Sequence, residues 1–132
     1  MSLAGLILRV ARPTDQLEAV AAFYRDGLGL AELGSFRDHA GFDGMILGFP
    51  GAPWHLELTH AHAHTVGPAP NPDHLLTLYF PEEAARASVI ARLEAAGHRP
   101  VRSFNPYWDD HGVTFEDPDG YRVVLHRGAW GR

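Results

Sequence analysis

The chain has 132 residues, of which 45% are hydrophobic and 20% are charged, and its formal net charge is −5 at pH 7. This length and balance predict a globular domain with a packed core rather than a disordered or fibrous chain. The negative charge and the scattered basic residues argue against nucleic acid as a partner. Because cysteine is absent, disulfides, thiolate nucleophiles and Cys-ligated metals are excluded, and a cytoplasmic location is expected.

The first residues predict a strand rather than a targeting segment. The apolar run that starts at Leu3 has no basic leader and meets a charge at Arg9. No window of the sequence approaches the roughly 20 apolar residues that a membrane span requires. We therefore expect no membrane partner.

The first half of the chain predicts one strand, one helix and three further strands. Residues 3–11 are rich in Leu, Ile and Val, and Pro13 ends their ladder pairing. A helix capped by Thr14 or Asp15 follows, carries apolar residues at helical spacing and ends at Gly27. Three short strands are then predicted over residues 30–36, 41–49 and 54–59.

The second half repeats this order. A segment rich in His, Ala, Gly and Pro, residues 61–72, predicts a linker. A strand over residues 74–80 then leads to a helix that opens with Pro81 and ends at Gly97. Further strands are predicted over residues 98–102, 112–116 and 121–126.

Equivalent elements of the two halves lie a nearly constant distance apart, roughly 68 residues, which predicts a duplicated β-α-β-β-β unit. The predicted fold class is therefore α+β, with two such modules forming curved sheets around a small-molecule cavity. We expect one domain built in four parts: module 1 (1–60), a linker (61–72), module 2 (73–127) and a tail (128–132).

Four stretches of the sequence resemble the vicinal oxygen chelate superfamily, which includes glyoxalase I, bleomycin-resistance proteins and extradiol dioxygenases. These stretches are LRV (8–10), AFY with GLGL (22–24 and 27–30), HLELT (55–59) and FEDPDGY (115–121). The string NPYWD (105–109) ahead of GVTFEDP (112–118) further resembles the YycE-like bacterial subgroup. The resemblance implies the paired-module fold, and it also implies a homodimer that completes the ligand cavity.

The resemblance also implies where a metal would bind. In metal-using members, the first and last strands of each half supply ligands, and these positions correspond to Gly5, Glu57, His74 and Val124. Glycine and valine offer no donor atom, so the ligand set is incomplete and only Glu57 and His74 are left to hold a divalent ion such as Zn, Ni, Fe or Mn. We expect no cofactor, with such an ion as the alternative.

Glu57 is the first candidate for a functional residue. Strand alternation places Glu57 on the face opposite Leu56 and Leu58. A carboxylate that faces inward there is costly unless it is paired or has a function, so Glu57 is the candidate catalytic group. The structural alternative is an ion pair with Arg9. Arg9 matches a position that binds a substrate carboxylate in glyoxalase I, and its guanidinium suits carboxylate or phosphate.

Four further residues are candidates for contact with a substrate. His74 begins a predicted strand and could serve as an acid, a base or a ligand, or simply as a polar strand-start residue. Arg122 adds positive charge near Val124 if it is not merely solvated. Tyr107 and Trp108 lie in a Pro-containing connection and are candidates to wall a pocket.

The run of alternating imidazoles at His60, His62 and His64 has a simpler interpretation. It adjoins the predicted linker and has the opposite strand parity from Glu57. We therefore expect it to be exposed and to bind transition metals only adventitiously.

Two functions follow from these residues. The first is a small-molecule-binding protein of the glyoxalase, bleomycin-resistance and dioxygenase superfamily, for an anionic or oxygen-rich ligand. The second is a metal-assisted lyase, isomerase or dioxygenase with an incomplete set of metal ligands. The sequence leaves open whether any reaction is catalysed.

Overall fold

The computed structural model describes residues 2–131. Within it the chain divides between Gly67 and Pro68 into two units, and this boundary lies inside the segment 61–72 that we expect to act as a linker.

The first unit contains a four-stranded sheet and one helix. Its elements are β1 (Leu8–Pro13), α1 (Leu17–Ala22) with a π-helical turn (Phe23–Gly27), β2 (Ala31–His39), β3 (Phe42–Gly48) and β4 (Trp54–Ala61). The strand order is β1-β4-β3-β2, with β1 parallel to β4 and the other pairs antiparallel. Since β1 lies at the edge of the sheet, it can end in Pro13 without losing a ladder hydrogen bond on its free side.

The start of the first strand differs from the prediction. The expected strand over residues 3–11 begins only at Leu8, because the backbone turns at Ala4 and Gly5. Gly5 has a φ of +88°, a left-handed conformation that interrupts an extended chain and suits glycine. Gly5 is therefore not a strand residue, contrary to its assignment as a strand position of a metal site.

The first helix also begins differently from the prediction. Neither Thr14 nor Asp15 is its N-cap; the cap is Gln16, which makes no side-chain capping hydrogen bond. The Asp15 carboxylate instead accepts hydrogen bonds from the backbone N–H groups of Val66 and Gly67, at 2.9 and 2.8 Å. These two bonds lower the pKa of Asp15 below its ordinary value and hold the end of the first unit against its start.

The core of the first unit lies between its helix and one face of its sheet. Leu56 and Leu58 of β4 are buried, as are Phe23 and Tyr24 at the end of the helix. Because successive side chains of a strand point to opposite faces, the odd-numbered residues of β4 lie on the other face of the sheet. That face carries the polar residues considered below.

The second unit repeats the arrangement with one additional short helix. Its elements are β5 (Leu75–Phe80), α2 (Glu83–Ala95), β6 (Pro100–Val101), α3 (Pro106–His111), β7 (Gly112–Glu116) and β8 (Arg122–Arg127). The strand order is β5-β8-β7-β6, with β5 parallel to β8 and the other pairs antiparallel. Leu93 of α2, Phe115 of β7, and Val123 and Leu125 of β8 are fully buried and form the centre of the core.

Sequence reasoning missed α3. Asn105 is its N-cap and accepts a hydrogen bond from Tyr107 N at 3.0 Å, while Pro106 occupies the first turn. Both are ordinary helix-start signals. The predicted strand over residues 98–102 is reduced to the two residues Pro100–Val101.

The predicted fold class is confirmed. Each unit is a mixed four-stranded sheet with its own helix, in the β-α-β-β-β order expected from the duplicated sequence pattern. Within residues 2–131, no helix is long and apolar enough to cross a membrane.

Candidate functional site

Three side chains of the first unit form a connected polar cluster, Arg9, His55 and Glu57, called the polar cluster below. Arg9 Nε donates a hydrogen bond to His55 Nε2 at 2.9 Å, and Arg9 Nη1 donates to Glu57 Oε2 at 3.4 Å. The predicted ion pair between Arg9 and Glu57 is therefore present.

The register of the sheet produces the polar cluster. In the parallel pair of β1 and β4, Arg9 lies opposite His55 and Ala11 lies opposite Glu57. His55 and Glu57 are two residues apart on one strand and share a face, so one guanidinium group reaches both. Sequence reasoning did not select His55, although its spacing from Glu57 places it on the same face of the strand.

The hydrogen bonds of the polar cluster define its donors. Because His55 Nε2 accepts from Arg9, the proton of the neutral imidazole lies on Nδ1. The 3.4 Å contact between Arg9 and Glu57 is longer than the roughly 2.7–2.9 Å of a strong charge-assisted hydrogen bond. The Arg9 side chain is 46% exposed, and its Nη2 has no hydrogen-bond partner among residues 2–131. Arg9 therefore keeps N–H donors for a further oxygen atom.

An apolar cleft of about 410 Å³ opens beside the polar cluster. Its walls come from the turn before β1, from β2 and from the turn before β4, and they include Leu6, Ile7, Leu33, Phe49, Pro53 and His55. This set is called the apolar cleft below. His55 belongs to both features, so it is the residue that the cleft and the polar cluster share.

Arg122 of the second unit is less exposed than Arg9, and its guanidinium is hydrogen-bonded to neighbouring segments of that unit. Its Nε donates to Glu116 Oε2 at 3.0 Å, and its Nη1 donates to the carbonyl oxygen of Arg102, also at 3.0 Å. Its side chain is only 14% exposed. Arg122 thus connects β8 to β7 and to the segment after β6, which makes it a poorer candidate for substrate contact than Arg9.

Tyr107 and Trp108 lie together on α3, in a group of aromatic and histidine rings. Their ring centroids are 5.1 Å apart, and Tyr107 stacks on His111 at 4.1 Å. The ring of His126 follows on the other side of His111 at 5.6 Å and also contacts Tyr79 at 4.5 Å. The His126 Nδ1 atom is buried and has no hydrogen-bond partner among residues 2–131.

An open depression of about 470 Å³ lies beside this group of rings. Leu75, Ser103, Phe104 and Trp108 are among the residues that line it. Trp108 is among the lining residues, whereas Tyr107 lies outside the lining and is half-exposed.

The four positions implied as metal ligands supply only two donor side chains, one in each unit. Gly5 lies in a turn, Val124 is fully buried and has no donor, and the Glu57 carboxylate is engaged by Arg9. His74 precedes β5 in the second unit, is exposed, and has its ring 6.5 Å from that of Tyr121. In residues 2–131 no three His, Asp or Glu side chains are grouped so that they could hold an ion. These donors do not fit the metal that the superfamily resemblance implies.

Two of the alternating histidines are engaged rather than free. His60 lies in β4, is half-buried, and its Nδ1 donates to the carbonyl oxygen of Thr14 at 3.0 Å, so the expectation that it is exposed was wrong. The exposed His62 bonds through Nε2 to Asp43 Oδ1 at 2.9 Å. This bond raises the pKa of His62 above its ordinary value, because the carboxylate stabilises the protonated ring.

The fold of the two units, with the sheet order and helix of each, is that of the vicinal oxygen chelate superfamily. Residues 8–59 match the YycE-like N-terminal domain, and residues 73–127 match the YycE-like C-terminal domain. The chain belongs to the YycE-like family of this superfamily, and the resemblance seen in the sequence is confirmed.

Individual relatives agree with this assignment. YycE of Bacillus subtilis strain 168 is 44% identical over 118 residues, which cover 89% of this chain and 85% of the relative. The crystal structure of a YycE protein of unknown function from Bacillus subtilis matches with a TM-score of 0.85 and 42% identity, covering 96% of this chain and 93% of that one. Glyoxalase I of Leishmania major matches with a TM-score of 0.70 but 17% identity, covering 92% and 86%, and so shows the fold alone.

Proposed function

We propose that this protein binds a small anionic or oxygen-rich molecule and that Arg9 receives its oxygen atoms. The observation that carries the proposal is the half-exposed guanidinium, held by His55 and Glu57 on two of its nitrogens and without a partner on Nη2 among residues 2–131. A planar fork fixed in this way suits a carboxylate or another pair of oxygen atoms.

The electrostatics of the polar cluster favour modest affinity. An incoming carboxylate shares the guanidinium with Glu57, and the loose 3.4 Å contact leaves Arg9 only partly neutralised. We expect a minimal probe such as acetate to bind with a dissociation constant on the order of 1–10 mM.

The donor set supports binding without a metal over the metal-assisted alternative. Glu57 faces a cation, two of the four implied positions have no donor, and His74 is exposed at the start of the other unit. In this proposal Glu57 positions Arg9 instead of holding an ion. Its carboxylate and the His55 ring fix the guanidinium from two sides.

The proposal is tested by an NMR titration of the Arg9 Nε–H signal with sodium acetate, against sodium chloride at the same ionic strength. We expect a saturable shift with acetate alone. Arg9→Met should weaken acetate binding at least tenfold. The control Arg37→Met removes another exposed arginine of the first unit, which pairs with Glu18 at 2.9 Å, and should leave binding unchanged. Equal responses to both salts, or retained acetate binding in Arg9→Met, would contradict the proposal.

A further inference from the structure

The apolar cleft beside the polar cluster points to the class of ligand. We propose that the ligand is an amphipathic carboxylate, whose head group binds Arg9 and whose apolar body lies in the apolar cleft. This inference rests on the proposed function, since it places the head group at the same arginine.

The walls of the apolar cleft expose large hydrophobic side chains to solvent. Ile7 is 61% exposed, Phe49 is 47% exposed and Leu33 is 41% exposed, although all three belong to one cleft. Scattered exposed apolar residues are ordinary, whereas a contiguous group in a concave surface indicates a binding site. The volume of about 410 Å³ falls within the roughly 300–1,000 Å³ of small-molecule sites.

His55 links the apolar cleft to the charged guanidinium of Arg9. His55 lines the cleft, and its Nε2 accepts the hydrogen bond from Arg9 Nε. Gly48 lies opposite His55 in the sheet, and a Cβ atom there would come within 3.1 Å of His55 Cβ and 3.3 Å of Leu33 Cδ1. The absence of a side chain at Gly48 thus leaves room for both His55 and Leu33 at this part of the cleft.

Charge complementarity identifies the occupant as a small amphipathic anion. Among the residues that line the cleft, His55 alone has a polar side chain, and it is bound to an arginine that retains free donors. A ligand with one anionic end and an apolar body satisfies the arginine and covers the exposed hydrocarbon walls. A second copy of the chain would also cover the walls, and the experiment below separates that outcome.

The test uses isothermal titration calorimetry with three probes, octanoate, acetate and octan-1-ol. Octanoate carries both the head group and the chain, whereas acetate lacks the chain and octan-1-ol lacks the charge. We expect octanoate to bind about 30-fold more tightly than acetate and about tenfold more tightly than octan-1-ol.

Two phenylalanine variants provide a matched comparison. Phe49→Ala removes a cleft wall and should weaken octanoate binding about tenfold while leaving acetate binding unchanged. Phe42→Ala removes a ring of similar exposure, 45% against 47%, that lies on β3 outside the cleft lining. It should leave the binding of both probes unchanged.

The outcomes separate this inference from the proposed function. If octanoate binds no more tightly than acetate, the amphipathic ligand is overturned and the arginine site stands. If octan-1-ol binds as tightly as octanoate, or if Arg9→Met leaves octanoate binding intact, the head group does not use Arg9 and the inference is overturned. The proposed function fails as well only if acetate also binds Arg9→Met as tightly as the parent. If Phe49→Ala abolishes self-association in light scattering and leaves octanoate binding unchanged, the cleft belongs to a second copy of the chain and the inference is overturned.

Discussion

Arg9 and His55 are joined by a hydrogen bond in which the guanidinium Nε–H donates to the imidazole Nε2 at 2.9 Å. The bond fixes the direction of the guanidinium fork and the tautomer of the ring together. His55 is therefore a positioning residue in the proposed site, because it acts through Arg9.

Replacing His55 should weaken binding through the orientation of Arg9. His55→Leu removes the acceptor at Nε2, and loss of one such hydrogen bond corresponds to roughly 1 kcal/mol, or about fivefold in acetate affinity. His55→Gln retains an acceptor and should restore most of the affinity. NMR titration measures both variants. A His55→Leu protein that binds acetate like the parent, or a His55→Gln protein no better than His55→Leu, would remove His55 from the site.

Replacing Glu57 separates a binding site from a metal site. Glu57→Gln removes the carboxylate that competes for Arg9 and keeps an oxygen acceptor, so acetate affinity should rise about fivefold, which corresponds to roughly 1 kcal/mol of repulsion. If Glu57 held a metal required for ligand binding, the same change would reduce affinity. Calorimetry of acetate with tag-free protein distinguishes a rise from a fall.

The association of Arg9 with Glu57 was predictable because strand alternation puts both side chains on one face once their two strands pair. Odd-numbered residues of β4 must share a face, and parallel pairing with β1 brings Arg9 alongside them. His55 also lies on this face, but so does every second residue of the strand. What singles out His55 is the register that places it opposite Arg9. Register between strands distant in sequence is a tertiary property, which a single strand pattern does not contain.

Two parts of the fold escaped prediction for local reasons. The apolar residues before Leu8 favour a strand, but Gly5 adopts a left-handed conformation that ends it, and the identity of a glycine does not reveal its φ. Helix α3 has only six residues, which is too few for helical periodicity to appear in the sequence. Its only sequence signals are the N-cap residue Asn105 and the first-turn proline Pro106. The apolar cleft depends on both the turn at Gly5 and the approach of Leu33, and neither is visible in the sequence.

The bond between His62 and Asp43 predicts a specific pH dependence. The pKa of His62 is raised above its ordinary value of 6.5, chiefly by the hydrogen bond to Asp43 and also by Asp38 nearby. The stabilisation from a raised histidine pKa is complete below about 6.5 and is lost as the pH rises through the value in the folded protein. The pKa of Asp43 is lowered, chiefly by the backbone N–H of Asp38, so its contribution is lost only in acid.

An NMR titration of the His62 ring should therefore give a midpoint above 6.5. Asp43→Asn should return the midpoint close to the ordinary value, since the amide carries no charge. Asp38→Asn should lower it less, because Asp38 Oδ1 lies 3.6 Å from His62 Nδ1, compared with 2.9 Å for the bond to Asp43. Equal effects of the two substitutions, or a midpoint below 6.5 in the parent, would show that the bond does not govern His62.

Gly112 should be needed for the stability of the second unit. A Cβ atom at this position would lie 2.4 Å from the carbonyl oxygen of Leu125 and 3.0 Å from His126 Cα, both in the neighbouring strand. Because backbone cannot move aside cheaply, Gly112→Ala should destabilise the fold by about 2–3 kcal/mol.

Gly34→Ala is the matched control for that change. A Cβ at Gly34 meets only Ile46 Cδ1, at 3.8 Å, an ordinary van der Waals contact, so its effect should stay within about 1 kcal/mol. Urea denaturation followed by circular dichroism compares the two midpoints. Similar midpoints for the two variants would show that β7 and β8 tolerate a side chain at Gly112.

A crystal structure of the protein soaked in sodium acetate, compared with a crystal kept in sodium chloride, shows directly whether Arg9 binds a carboxylate. We predict acetate density within hydrogen-bond distance of Arg9 Nη2, with the Arg9 bonds to His55 and Glu57 in place. Density for acetate elsewhere with none at Arg9, or an Arg9 side chain turned away from His55, would contradict it.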